Sequence, residues 1–155
     1  MDLGDLLGKD AVIAGLKAKS KKQAIQELAG KASELTGLSE REIFDTLLQR
    51  ERLGSTGVGH GIALPHGTLT RLDRLVGLFA KLEKPVDFDA LDDEPVDLVF
   101  LLLAPEGAGA DHLKALARIA RQLRDGAVTQ GIRASHDAQE IYDLLTQPLA
   151  SSNAA

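Results

Sequence analysis

Apolar residues with helical spacing predict two consecutive helices in the first third of the chain. Apolar positions recur every three or four residues from Ser20 to Gly37, and again from Ser39 to Leu53. Each segment opens with a serine that is followed three residues later by Gln or Glu, the spacing of a capping box. Because glycine commonly ends a helix, we expect the two helices to stop at Gly37 and Gly54.

Three apolar runs, at residues 11–16, 75–82 and 96–103, are predicted to be strands. The third run is apolar on consecutive residues from Leu98 onward, which is typical of a central strand covered on both faces. Helices are therefore expected on both sides of the sheet. Together with the helical segments, this pattern predicts an α/β fold.

Shorter signals complete the predicted order of elements. Residues 1–7 suit a short opening helix, and Asp111 is a plausible N-cap for a helix that reaches Arg124 and is closed by Gly126. Residues 127–134 are ambiguous, and residues 137–147 are predicted to form a last helix. We expect one domain over residues 1–150 and a frayed tail over 151–155.

Composition narrows the class of protein. The 155 residues include no cysteine, which excludes disulfides, thiolate nucleophiles and cysteine zinc sites. No apolar run is long enough to span a bilayer and the first residues do not form a signal peptide, so we expect a soluble cytoplasmic protein without membrane insertion. A net charge of −5 argues against nucleic acid as a partner.

The chemistry is predicted to lie in the glycine-rich stretch from Gly54 to Gly67. Pro65 fixes its own φ and favours an extended Leu64, so the chain should enter His66 along a strand edge. A neutral imidazole is nucleophilic near pH 7 and can accept a phosphoryl group when nearby donors and a cation spread the charge. His66 is therefore the strongest candidate for the reacting residue.

Phosphate-binding groups are available on both sides of this loop. Successive backbone N–H groups up to Gly57 and the hydroxyls of Ser55 and Thr56 could hold phosphate oxygens. The cation should be an arginine, whose planar fork matches a phosphate. Arg50 and Arg52 both precede the loop, and helical phase does not choose between them.

The other histidines leave alternatives open. His112 continues the apolar stripe of the helix after Asp111, so it is either a core residue or, at the helix N-terminus, part of an anion site. His60 either holds the glycine loop or touches a ligand, and His136 suits the surface. A zinc site from His60, His66 and His112, or a metal site in the acidic stretch 87–97, is a weaker alternative because neither has a recognised ligand spacing.

Two motifs carry a resemblance to a known family. Arg-Glu-Arg-Leu-Gly-Ser-Thr-Gly-Val-Gly at 50–59 and Gly-Ile-Ala-Leu-Pro-His-Gly at 61–67 resemble the active-site segment of phosphotransferase-system EIIA domains of the mannitol/fructose class, above all the nitrogen-type branch. The resemblance covers almost the whole chain and implies a single α/β domain with a mixed sheet flanked by helices. It implies that His66 is the phosphoacceptor, that Arg50 is the arginine of the site, and that His112 binds the phosphoryl group. Ser55 and Thr56 match positions at the pocket floor, whereas His60 stands where the family more often has Asn.

The resemblance also implies partners and a role. The donor would be an HPr-like phosphocarrier (NPr), no cofactor is called for, and phosphorylation would control targets such as potassium-transport or stress-signalling proteins. The alternative is a standalone sugar-specific EIIA that passes its phosphoryl group to an EIIB cysteine. Either role needs an apolar docking surface around His66, for which Val58 and residues 62–64 are candidates.

Overall fold

A six-stranded mixed sheet forms the centre of the computed structural model, which describes residues 1–148. The strands are β1 (Val12–Leu16), β2 (Gly57–Gly59), β3 (Ile62–Ala63), β4 (His66–Leu69), β5 (Val76–Val86) and β6 (Val96–Pro105). The helices are α1 (Lys21–Thr36), α2 (Glu40–Leu53), α3 (Ala110–Leu123), α4 (Gly126–Ala134) and α5 (Ala138–Thr146). The predicted α/β fold with a mixed sheet is confirmed.

Strand β6 organises the sheet. It pairs antiparallel with β5 on one side, and on the other side it pairs in parallel first with β3 and then with β4. The strand order is β1-β5-β6-β3-β2, with β4 on β6 beyond β3. Residues 98–104 of β6 are all buried, so both faces of this strand are covered, as its unbroken apolar sequence predicts.

The two predicted serine caps are confirmed. The hydroxyl of Ser20 accepts the N–H of Gln23 at 3.1 Å, and that of Ser39 accepts the N–H of Glu42 at 3.2 Å. Gly37 ends α1 in the left-handed conformation with φ of 76°, which glycine adopts without steric cost. The caps place the C-terminal end of α2 directly before the glycine-rich stretch.

Two of the predicted helix boundaries are wrong. Gly109, not Asp111, is the N-cap of α3, because the chain turns through residues with positive φ and enters the helix two residues earlier. Gly126 does not close α3 but begins α4, whose N-cap is Asp125; the Asp125 carboxylate accepts the N–H of Ala127 at 2.9 Å. The ambiguous stretch 127–134 is therefore helical.

Other differences are local. The predicted opening helix is reduced to two 3-10 turns, Leu3–Asp5 and Lys9–Ala11. Strand β5 continues four residues beyond its predicted end, and the glycine-rich stretch contains the three short strands β2, β3 and β4. The predicted tail at 151–155, with the last two residues of the predicted domain, lies outside the described residues. Within residues 1–148, no helix is both long and apolar enough to cross a bilayer.

Candidate functional site

His66 is the first residue of β4, at the point where the chain joins the central strand. The carbonyl of Pro65 accepts the N–H of Leu102 at 3.0 Å, and His66 is in register with Leu102 in the parallel β4–β6 pair. The predicted approach along a strand is thus present. Because sheet pairing holds the backbone on both sides of His66, the position of its Cα is fixed relative to β6.

The hydrogen bonds of His66 define its tautomer. Its Nδ1 lies 2.8 Å from the carbonyl oxygen of Leu64, which can only accept, so Nδ1 carries the proton. Its Nε2 then has a lone pair, which accepts the Nε–H of Arg50 at 3.3 Å. The nitrogen of the half-buried ring that keeps a lone pair is therefore Nε2, and a cation faces it.

Arg50 reaches this position from the last turn of α2. Its Nη1 donates to the carbonyl of Gly54 at 2.9 Å, which orients the guanidinium toward the histidine ring. Arg52 is exposed, and its side chain lies on the other flank of the helix. The fold thus brings Arg50 to His66, a choice that helical phase left open.

His112 closes the site from the first turn of α3. The ring centroids of His66 and His112 are 5.6 Å apart, with an edge-to-face angle of 75°. The Nε2 of His112 is buried and has no hydrogen-bond partner among the described residues. Burial, followed by the repulsion that a protonated His66 would exert, lowers the pKa of His112, so its imidazole stays neutral near pH 7 and retains an unused polar atom.

The three predicted phosphate ligands in the loop are engaged with their own surroundings. The Thr56 hydroxyl is buried and donates to the carboxylate of Glu51. The Ser55 hydroxyl donates to the carbonyl of Phe88 at 2.5 Å and accepts the N–H of Gly57 at 3.0 Å. In this state they hold the loop in shape, and their contact with a phosphoryl group stays a prediction.

His60 lies in the turn between β2 and β3, and its side chain is exposed. It has φ of 57° and Gly61 has φ of 77°, which is the pattern of a two-residue hairpin turn with both central residues left-handed. Its N–H donates to Asp92 at 2.9 Å, and its carbonyl accepts from Arg133 at 2.8 Å. Within residues 1–148, no three His, Cys, Asp or Glu side chains come together as a metal site would require.

Sequence reasoning missed a role for Glu51, the neighbour of Arg50. Only 2% of its side chain is exposed, and it accepts hydrogen bonds from both the N–H and the hydroxyl of Thr56. Its place at the centre of the apolar face of α2 was a usable signal. A carboxylate on such a face is buried on folding, and a buried carboxylate requires partners.

The predicted docking residues are less accessible than expected. Val58 is 51% exposed, whereas residues 62–64 are at most 7% exposed. The prediction that all four residues are available for docking is therefore wrong for residues 62–64. Pairing of β3 with β6 buries most of Ile62 and all of Ala63. Ile62 and Leu64 instead line the floor of a groove of about 780 Å³ between the β2–β3 hairpin and helices α3 and α4. Leu113, next to His112, is 69% exposed.

The chain belongs to the EIIA 2 family of the phosphoenolpyruvate-dependent sugar phosphotransferase system, whose model matches residues 5–147. It is 60% identical over 152 residues to a nitrogen regulatory protein of Bradyrhizobium diazoefficiens, covering 98% of this chain and 99% of that relative. The crystal structure of nitrogen regulatory protein IIA-Ntr from Neisseria meningitidis superposes with a TM-score of 0.88 at 33% identity, covering 93% of this chain and 99% of that one. Enzyme IIA of the mannitol system of Escherichia coli, solved in complex with phosphorylated enzyme IIB, gives a TM-score of 0.77 at 26% identity, covering 90% and 98%. The resemblance drawn from the two sequence motifs is confirmed.

Proposed function

We propose that this protein is a phosphoryl carrier and regulator of the nitrogen-type phosphotransferase system. In this role it accepts a phosphoryl group on His66 from the phosphohistidine of an HPr-like carrier (NPr), and its phosphorylation state controls target proteins. The observation that carries the proposal is that Arg50 and His112 both lie against the His66 ring. The Nε of Arg50 is 3.3 Å from Nε2 of His66, and the ring centroids of His112 and His66 are 5.6 Å apart.

The geometry supports attack by Nε2. Its lone pair would form the new bond to phosphorus while the N–P bond of the donor breaks, and the electron pair of that bond returns to the donor imidazole. The proton on Nδ1 stays in place, because its hydrogen bond to the Leu64 carbonyl stabilises the positive charge that the ring acquires. The Nε–H of Arg50 would exchange the lone pair for a phosphoryl oxygen and neutralise part of the charge in transfer.

His112 would supply a neutral hydrogen-bonding group on the other side. Its buried Nε2 lacks a partner in the unphosphorylated protein, and an unpartnered polar atom is costly, so a phosphoryl oxygen that it could bond would relieve this cost. The N-terminal end of α3 also favours an anion through its exposed N–H groups and dipole. The site would thus stabilise the phosphorylated state.

Phosphorylation would change the surface that partners meet. A phosphoryl group adds about two negative charges in a half-buried pocket, which is enough to attract or repel a docking protein. Exposed Val58 and Leu113 offer apolar contacts for such a partner. Targets of the kind expected are potassium-transport and stress-signalling proteins, and the reaction would take place in the cytoplasm with its carriers.

A second candidate is a sugar-specific EIIA that passes the phosphoryl group to an EIIB cysteine. The likeness to a mannitol enzyme IIA solved with phosphorylated enzyme IIB favours it, because the same fold there engages an EIIB. The two candidates share the first transfer and differ in the second. Incubation of the phosphorylated protein with the EIIB proteins of its host distinguishes them, since only a sugar-specific EIIA should lose its label to a cysteine.

The first transfer is tested with phosphoenolpyruvate, Enzyme I and an HPr-like carrier. We expect an acid-labile, base-stable label that is absent from His66→Ala, and 31P and 15N spectra that place phosphorus on Nε2. His136→Ala is the matched control, since it removes an exposed histidine far along the chain. An unlabelled wild-type protein, or equal labelling of His66→Ala, would refute the proposal.

A further inference from the structure

We propose that Glu51 is a positioning residue of this site, which fixes Arg50 against His66 by holding the turn at Gly54–Thr56. The inference rests on the proposed function and adds a component to it. Within residues 1–148, the hydrogen bonds of the Glu51 carboxylate go to Thr56 and Lys21 and none reaches His66. The effect of Glu51 would pass through the loop that supplies one of the two acceptors of the Arg50 guanidinium.

The carboxylate of Glu51 is buried in a place that does not favour it. It lies in the last turn of α2, where the helix dipole disfavours a negative charge, and only 2% of its side chain is exposed. Three donors compensate: the Thr56 N–H contacts both oxygens at 3.2 and 3.3 Å, the Thr56 hydroxyl donates to one of them, and Lys21 donates at 3.3 Å. Removal of any donor would leave part of a buried charge unpaired.

The turn at Gly54–Thr56 is bonded at both of its ends. Its last residue, Thr56, bonds to Glu51, and its first residue, Gly54, bonds to Arg50. The Gly54 carbonyl accepts Nη1 of Arg50 at 2.9 Å, and two residues later Thr56 is tied to Glu51. With Nη1 held on Gly54, the Nε–H of Arg50 is directed at Nε2 of His66 at 3.3 Å. The adjacent side chains of Arg50 and Glu51 therefore bond to the two ends of the same turn. The contact between Arg50 and His66 would depend on both bonds.

The turn is also tied to the connection between β5 and β6. Lys21 bridges Glu51 to Asp89 at 3.3 Å, and Ser55 donates to the carbonyl of Phe88. The ammonium of Lys21 lies 5.8 Å from the centre of the Phe88 ring. Because the start of α1, the end of α2 and this connection all meet at the turn, contacts with three segments define its backbone position.

An apolar residue at position 51 would also fill this part of the core. Replacement of buried ionic groups by apolar side chains is often neutral for stability, so burial alone does not require a carboxylate. An apolar side chain could not accept the N–H and hydroxyl of Thr56, and the turn would then be free to shift. Displacement of a positioning group by about 1 Å can slow a reaction about a hundredfold.

The test measures single-turnover phosphorylation of the full chain by the phosphorylated HPr-like carrier. In Glu51→Met, which fills the same space without an oxygen acceptor, and in Thr56→Val we expect the rate at saturating carrier to fall about tenfold or more, with little change in the carrier concentration that gives half the maximal rate. Thr56→Ser keeps the hydroxyl and should recover most of the rate lost in Thr56→Val. Glu40→Gln, an exposed carboxylate on the same helix, is the control for charge.

A double-mutant cycle separates positioning from general destabilisation. If Glu51 acts through Arg50, Glu51→Met should cause no further slowing in an Arg50→Ala background. An independent readout is the 1H–15N signal of the Arg50 Nε–H, which should carry the shift of a hydrogen-bonded group in the wild type and lose it in Glu51→Met and Thr56→Val. This readout does not require phosphorylation.

The outcomes distinguish this inference from the proposed function. Failure of the wild-type protein to become labelled would refute the proposed function, and the Arg50 signal would still decide the role of Glu51. Wild-type rates in both Glu51→Met and Thr56→Val, equal slowing by Glu51→Met with or without Arg50, or an unchanged Arg50 signal would each overturn the positioning role. If Glu51→Met does not fold, the Arg50 signal of the paired Thr56 variants decides, because it does not depend on phosphate contact by Thr56.

Discussion

The Nε–H of Arg50 donates to Nε2 of His66 at 3.3 Å, so the lone pair that would attack phosphorus is covered by the cation that would later bind the phosphoryl group. Both residues are half-buried, and their contact spans two elements, the end of α2 and the start of β4. Transfer would require the guanidinium to move from the ring nitrogen to a phosphoryl oxygen while Nη1 keeps its bond to Gly54.

Replacement of Arg50 should slow phosphorylation without unfolding the protein. A charge-assisted hydrogen bond contributes about 1.5–3 kcal/mol, so Arg50→Ala should lower the rate of transfer to His66 by about tenfold to a hundredfold. Arg52→Ala is the matched control, because Arg52 is exposed in the same helical turn and should have no effect. Rapid-quench labelling measures both, and slowing by Arg52→Ala instead would show that the wrong arginine has been assigned.

Gly67, directly after His66, should not tolerate a side chain unless α2 gives way. A Cβ at Gly67 would lie 2.7 Å from the Cγ2 methyl of Thr46, so Gly67→Ala should lower the free energy of unfolding by about 1–3 kcal/mol and slow transfer by displacing His66. Thr46→Ser removes that methyl and keeps the hydroxyl bond to the Glu42 carbonyl at 2.8 Å. Chemical denaturation of the single and double variants should show that Thr46→Ser recovers most of the loss; purely additive effects would contradict the steric explanation.

Stability should fall at mildly acidic pH because of His112. Burial lowers the pKa of His112 in the folded state, so the unfolded chain binds more protons and the free energy of unfolding decreases as pH falls below about 6.5, the ordinary value. His112→Gln does not titrate and should show a shallower decrease in thermal stability between neutral and mildly acidic buffers. His136→Gln, an exposed histidine, should keep the wild-type slope. An equal slope in His112→Gln would mean that His112 is not held neutral by burial.

His60 should act through its backbone. Its φ of 57° is left-handed, a conformation that Asn adopts at lower cost, so His60→Asn should raise the free energy of unfolding by roughly 0.5–1 kcal/mol and leave transfer to His66 unchanged. His136→Asn makes the same chemical change at an exposed position without positive φ and should not be stabilising. A slower transfer in His60→Asn would instead assign its imidazole to the site.

Local sequence signals were sufficient for much of the fold. The serine caps of α1 and α2 and the unbroken apolar run of β6 depend on neighbours in the chain, and the structure confirms them. The boundaries that were wrong depend on competition between nearby residues. Asp111 and Gly126 are both residue types that commonly cap helices. In the structure a turn with positive φ makes Gly109 the N-cap of α3, and the carboxylate of Asp125 caps α4, so that Gly126 lies inside α4.

The site divides in the same way. The sequence by itself determined that the chain is extended where it enters His66 at the end of a glycine-rich stretch. Pro65 decides this locally, because it restricts its own backbone and that of the residue before it. Only the tertiary structure decided that Arg50 rather than Arg52 meets it, that His112 leaves a buried nitrogen unpaired beside it, and that Glu51 holds the turn. Each of these contacts joins segments that are brought together by sheet pairing and helix packing, and side-chain distances across such contacts are not encoded in the spacing of residues along the chain.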